Sequence, residues 1–155
     1  MTAAVAQKFA ELSCVIIPLQ ESRLLLPSVC IAEILPWRRI KPLKQGPEWC
    51  LGELGWRGEA VPVIRFERLN QPSAEAPAAG RCLVVMNRTQ SSSGVAFYAL
   101  ATDGLPRMVQ LSDADLVASD DRPGKAEASV VRFGTESASI PDLAFLEDQA
   151  GTIGT

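Results

Sequence analysis

The residue types that usually carry catalysis are sparse in this sequence. Its 155 residues include no histidine, which excludes His-based triads, Cys–His dyads and nearly all catalytic zinc sites. The four cysteines form no C-x-x-C pair, so they predict neither a structural zinc nor a thioredoxin-type site. Cys14, Cys30 and Cys82 each lie in an apolar run, which favours buried thiols in a reducing compartment. The sequence therefore predicts a protein without catalytic residues, metals or cofactors.

Other ligand-binding patterns are also missing. The acidic stretch SDADLVASDD (112–121) lacks the central glycine and terminal glutamate of a calcium loop, and no glycine-rich phosphate-binding motif is present. The net charge is −3, and the densest basic stretch, from Arg38 to Lys44, is interpreted as a solvated face. We therefore expect no nucleic-acid binding. The apolar runs are too short to span a membrane and the N-terminus lacks a signal peptide, which predicts a cytoplasmic protein without membrane insertion.

A short stretch rich in glycine, GELGWRGEAVPVIRF (52–66), offers a different chemistry, that of binding. Tryptophan and arginine are enriched at the energetic centres of protein interfaces, and Trp56 and Arg57 are adjacent here. Because glycines bracket them, we expect Trp56 to be exposed. The residues predicted to shape the turn are Gly52, Gly55, Gly58 and Pro62.

The elements that must position these residues are mostly strands. CVIIPL (14–19) and SRLLLPS (22–28) predict a hairpin, and VCIAEIL (29–35) fits either a strand or a helical turn. AVPVIRF (60–66) is a strand in which Pro62 removes a hydrogen-bond donor, which favours a sheet edge or a barrel corner. The loop at 70–80 separates this half from a second run of strands. In that second half, the polar segment 88–94 is typical of a mobile hairpin tip.

The two halves resemble each other. VPVIRF (61–66) aligns with IPDLAF (140–145), and LLLPSVCIAEIL (24–35) aligns with YALATDGLPRMV (98–109), so that Leu26 falls on Leu100. The segments keep the same order and similar offsets, which indicates two small β units built on one plan. A single β-sandwich with coincidental strand similarity is the alternative. Because neither half could bury much apolar area alone, we expect the two units to share a core.

The residues from Trp49 onward resemble the CheW-like coupling domain family. WCLGELGWRGEAVPVIRFERL (49–69) matches the family pattern, in which an aromatic residue precedes a glycine, an Arg-Gly pair and a Val/Ile-Pro strand. Upstream, VCIAEIL resembles the family's V-x-E-I segment, and downstream FYALATDGLPRMVQL resembles a second-barrel strand. Departures include Gly55, Trp56 and Arg65, where the family commonly has asparagine, leucine and an acid. The departures suggest a divergent or accessory member, for example in a type IV pilus chemosensory system.

The resemblance implies both a fold and a role. The fold would be mainly β, with two SH3-like five-stranded barrels packed around a shared core. The role would be that of a non-enzymatic adaptor in two-component signal transduction, coupling the cytoplasmic tip of methyl-accepting chemoreceptors to the regulatory domain of a CheA-type histidine kinase. Carried over by position, Ile31, Glu33 and Arg57 would lie at the receptor-binding groove. We also expect Trp56 and Gly58 to contact partners, and Glu33 to pair with Arg57. The protein would lie in the cytoplasm at receptor arrays near the inner membrane.

The resemblance also sets the expected domain limits. A single domain would span 12–148, with a first barrel at roughly 15–70 and a second at roughly 81–147, and strands could be exchanged between the two halves. Residues 1–11 would form an N-terminal segment and 149–155 a flexible tail. Two other functions stay open: another SH3-like protein-binding module, such as an assembly or translation factor, and a small enzyme using cysteine or acidic residues.

Overall fold

The computed structural model describes residues 11–89 and 95–153, which form two β-sheets and two short α-helices. The strands are β1 (Leu12–Pro18), β2 (Arg23–Pro27), β3 (Ile31–Pro36), β4 (Cys50–Trp56), β5 (Glu59–Ile64), β6 (Cys82–Asn87), β7 (Phe97–Thr102), β8 (Arg107–Leu111), β9 (Val117–Ala118), β10 (Glu127–Phe133) and β11 (Glu136–Pro141). The helices are α1 (Phe66–Asn70) and α2 (Leu143–Ala150). The predicted β class is confirmed, although neither helix was predicted.

Each sheet combines strands from both halves of the chain. Sheet I has the order β8-β1-β2-β11-β10-β9, and sheet II has the order β3-β6-β7-β5-β4. The first half therefore contributes β1 and β2 to sheet I but β3, β4 and β5 to sheet II. The contiguous ranges 15–70 and 81–147 describe the repeat in the sequence, whereas the sheets are built by exchanging strands between these ranges.

The strand pairing reproduces the internal repeat. In sheet I, Val15 of β1 lies between Leu26 of β2 and Met108 of β8. In sheet II, Val84 of β6 lies between Leu100 of β7 and Ile34 of β3. Leu26 and Leu100 are equivalent in the sequence alignment of the halves, as are Ile34 and Met108, so the aligned registers are confirmed.

The apolar side chains form three layers. The central layer lies between the sheets and is completed by both helices; its fully buried members include Ile17, Leu24, Ile64, Met86, Tyr98, Leu100 and Leu146. Each sheet also encloses a smaller cluster of its own, around Phe133 in sheet I and around Trp56 in sheet II. Because alternate residues of one strand face opposite sides of a sheet, each sheet supplies one face to the shared layer and the other to its own cluster. The predicted shared core is present.

Of the four residues predicted to shape the turn near Arg57, only Gly58 lies in it. Gly52 and Gly55 lie within β4, and Pro62 lies within β5. β5 is an inner strand rather than an edge strand, but its pairing with β7 begins only at Val63, so the missing donor of Pro62 interrupts no ladder on that side. The turn itself consists of Arg57 and Gly58.

A buried arginine ties α1 to the end of β7. The side chain of Arg65 is fully buried; its Nη2 lies 2.8 Å from Oδ1 of Asp103, and its Nη1 donates to the carbonyl of Ala101 at 3.1 Å. Glu67 Oε1 lies 3.7 Å from Nε of the same guanidinium. Because a buried charge without a partner is very costly, these contacts explain how a basic residue is tolerated at this buried position.

Part of the predicted C-terminal tail belongs to a helix and a turn. Residues 149–153, assigned to a flexible tail by the sequence, complete α2 and a hydrogen-bonded turn in which Ile153 N donates to Ala150 O. Residues 1–10, nearly all of the predicted N-terminal segment, lie outside the described residues, as do residues 90–94 of the predicted hairpin tip and the last two residues.

Gly52 and Gly55 offer a matched test of the packing along β4. Gly52 has φ of +142°, and a Cβ there would lie 2.2 Å from the carbonyl oxygen of Lys41. A Cβ at Gly55 would meet nothing within 4 Å. We expect Gly52→Ala to lower the free energy of unfolding by at least about 2 kcal/mol, and Gly55→Ala to change it by less than about 0.5 kcal/mol. Urea denaturation of both variants measures this, and equal losses would contradict it.

Candidate functional site

The candidate site begins with a strained hairpin turn. β4 and β5 are joined by the two-residue loop Arg57–Gly58, which lies between the paired residues Trp56 and Glu59. Arg57 has φ of 48° and Gly58 has φ of 79°. Positive φ at both positions is typical of a type I′ turn, where Asn-Gly is the preferred pair. Arg57 is the only described non-glycine residue with a positive φ, a conformation that costs roughly 1–2 kcal/mol.

Glu33 of β3 binds both residues at the end of this hairpin. Its Oε1 accepts a hydrogen bond from Nε1 of Trp56 at 2.9 Å and another from Nη2 of Arg57 at 3.2 Å. The side chains of Arg57 and Glu33 are 68% and 39% exposed. β3 and β4 are the two edge strands of sheet II, so the Glu33 carboxylate links the two edges of the sheet through side-chain hydrogen bonds. The predicted pairing of Glu33 with Arg57 is confirmed.

Trp56 is buried, contrary to the expectation that it would be exposed. Only 5% of its surface is accessible, and its ring packs edge-on against Phe97 with centroids 4.9 Å apart. The guanidinium carbon of Arg57 lies 4.7 Å from the centroid of the indole, within cation–π range. The indole is large and apolar enough to fill the end of the sheet II cluster, so glycine neighbours do not make it exposed. Trp56 supports Arg57 and Glu33 from beneath.

Ile31 lies at the start of β3, apart from the ion pair. It is partly buried against the central layer, and a bulge separates it from Glu33 in the pairing with β6. Two apolar residues nearby are more exposed, Val29 at 74% and Ile34 at 41%. Sequence reasoning did not single these two out, because apolar residues in a strand-like run are normally read as core.

Sheet I has an equivalent contact with the charges reversed. The repeat aligns Glu33 with Arg107 of β8, and Nη2 of Arg107 lies 2.8 and 3.0 Å from the two carboxylate oxygens of Glu136. Glu136 follows the two-residue loop between β10 and β11, as Glu59 follows Arg57–Gly58, and it also binds Arg23. The edge strand thus supplies the acid in sheet II and the base in sheet I. Sequence reasoning missed this second pair, although the aligned repeat pointed to it.

Comparison with known proteins now identifies the family. The family model of the CheW-like domain matches residues 13–149. The chain belongs to the CheW-like domain family. The crystal structure of the scaffolding protein TtCheW from Thermoanaerobacter tengcongensis has the same fold, with a TM-score of 0.71, 14% sequence identity and 86% of each chain covered. No curated protein matches the chain significantly.

Membership of the CheW-like family confirms the predicted resemblance and fold. It supports a general role as a scaffold or adaptor in chemosensory signalling. Within 11–89 and 95–153, no helix is long and apolar enough to cross a membrane, and no cluster of His, Cys, Asp or Glu residues is suited to holding a metal ion.

Variants at Glu33 separate the two bonds that its carboxylate makes. Glu33→Gln keeps an acceptor for the indole N–H but loses the exposed ion pair, so we expect a loss below about 1 kcal/mol in the free energy of unfolding. Glu33→Ala leaves the N–H of a buried tryptophan without its acceptor, so we expect a loss of about 1–3 kcal/mol. Denaturation followed by tryptophan fluorescence measures both. Equal losses would mean that the indole bond does not stabilise the fold.

The cysteines of this CheW-like chain are expected to be inert when it is folded. All four are buried and unpaired by disulfides, and burial raises the pKa of Cys14, Cys30 and Cys50. A raised pKa lowers the fraction of reactive thiolate at any given pH, and burial blocks the reagent. Iodoacetamide at mildly alkaline pH should leave the native chain unmodified and alkylate all four thiols in denaturant. Rapid labelling of one native thiol would favour the enzyme alternative.

Proposed function

We propose that this CheW-like chain couples chemoreceptors to a CheA-type histidine kinase, and that the surface around Glu33 and Arg57 binds the cytoplasmic tip of the receptor. The observation that carries the proposal is the strained placement of Arg57. A type I′ turn accepts asparagine or glycine more easily, so the arginine adds a backbone cost to the folded chain. Its exposed pair with Glu33 contributes only about 0–1 kcal/mol to stability, so stability does not explain an arginine in this turn.

The arginine is also suited to bind a partner. Its guanidinium has five N–H donors in a planar fork, and the single bond to Glu33 leaves donors that can reach carboxylates or helix-end carbonyls of another protein. The indole beneath it limits the rotamers that the side chain can adopt, which reduces the entropy lost on binding. We assign Gly58 the role of allowing the turn and Trp56 that of holding Arg57 in place.

Apolar area is available on the segment that carries Glu33. Val29 and Ile34 are exposed, and Ile31, which lies between them in the sequence, is partly buried. A helical receptor tip could lay an apolar face on these residues while its polar groups reach Arg57 and Glu33, as helix-in-groove recognition requires. The contact with the kinase regulatory domain would use other barrel surface.

Substitution of Arg57 by asparagine tests the proposal without straining the fold. Asparagine favours the positive φ, so Arg57→Asn should be at least as stable as the native chain. We expect it to recover at least about tenfold less chemoreceptor in affinity purification from the native cells, because a charge-assisted hydrogen bond is lost. Foci of the labelled protein at receptor arrays should disappear in parallel.

The control is Arg132→Asn, which removes a charge from an exposed position on β10 in sheet I. It should recover receptor and kinase as the native chain does. Purification that instead yields an assembly or translation complex, with neither receptor nor kinase, would support the alternative of another SH3-like binding module. Unchanged receptor recovery with Arg57→Asn would show that the hairpin is not the receptor contact.

A further inference from the structure

The segment that follows β3 concentrates positive charge. PWRRIKPLKQGP (36–47) contains four basic residues and no acidic one, in a chain whose net charge is −3. Arg38, Arg39 and Lys41 are all exposed, and none forms a salt bridge with any residue in the described parts of the chain. We call these three residues the basic strip. Their charges are available for a partner.

The backbone of the basic strip is fixed against sheet II. Lys41 N donates to Glu53 O at 2.9 Å, and Glu53 N donates to Lys41 O at 2.8 Å, so the segment extends the outer edge of β4. Trp37 and Ile40 pack against the sheet II cluster, whereas the basic residues next to them in the sequence are exposed. The absence of a side chain at Gly52 allows this close approach. The strip is therefore a built surface rather than a free loop.

The basic strip adjoins the candidate site. Lys41 and Arg57 line the same shallow depression beside the β4–β5 hairpin. Arg38 Nη1 lies 3.5 Å from the carbonyl oxygen of Gly55, two residues before Arg57. A partner that contacts Arg57 along the outer edge of β4 would thus meet further positive charges before leaving the surface.

We propose that the basic strip binds an acidic segment of the protein partner that docks at Arg57. This inference rests on the proposed function for the position of the partner. Glu53 and Glu59 line the same depression as Lys41 and Arg57, and the chain as a whole is negative. The net negative charge of the chain disfavours an extended polyanion such as DNA or an anionic membrane, whereas a short acidic segment needs to contact only the basic strip.

The test uses a fluorescein-labelled poly-glutamate peptide and the full chain. Its anisotropy should report binding at low ionic strength that weakens with added salt. We expect the triple variant Arg38→Gln, Arg39→Gln and Lys41→Gln to bind the peptide at least about tenfold more weakly. The control triple Arg122→Gln, Lys125→Gln and Arg132→Gln removes equal charge from exposed positions elsewhere and should bind within about twofold of the native chain.

The outcomes separate this inference from the proposed function. Equal weakening in both triples would overturn it, since only overall charge would then matter. Tighter binding to phosphatidylserine vesicles or to a DNA oligonucleotide than to the peptide would also overturn it. If Arg57→Asn recovers receptor normally while the strip triple alone loses the peptide, the proposed receptor contact fails but the basic strip stands. Reduced partner recovery from native cells with the strip triple, but not with the control triple, would support both.

Discussion

The central apolar layer is the constraint on which the rest of the molecule depends. Each half of the chain is too short to enclose a sizeable core by itself, so both sheets give one face to a common layer that the two helices complete. This sharing goes together with strand exchange, because β1 and β2 pair with strands of the second half, and β6 and β7 pair with strands of the first half. The edges that result are where the ion pairs lie, and the arrangement of the candidate site is thus a consequence of how the core is shared.

Local pattern predicted much of this fold. The hairpin of β1 and β2, the repeat registers around Leu26 and Leu100, and the pairing of Glu33 with Arg57 could all be inferred, because each depends on short-range alternation or on a recognisable motif. The sequence left strand exchange between the halves as an open possibility, because apolar alternation is the same whichever sheet a strand joins. The helices escaped notice because α1 has five residues and α2 has eight, too short for a clear helical period.

Side-chain positions also divide into those set by the local sequence and those set by distant segments. Trp56 was expected at the surface because glycines and Arg57 flank it, yet its burial is decided by the space at the end of sheet II, which involves Phe97 far along the chain. Arg65 looked like an anomaly in the motif, and its partners Ala101 and Asp103 come from the other half. Residues whose environment is built by distant segments are those that a single sequence predicts least well. The partner-binding roles stay predictions.

The exchange of strands also changes what the loop at 71–80 connects. In the sequence it looks like a seam between two units, and in a protein of two separate domains a protease cut there would release two pieces. Here the pieces on either side of the cut would each hold strands of both sheets. A chain nicked at this loop would stay together as a two-fragment complex, interlocked like a swapped dimer, and would come apart only when both sheets open.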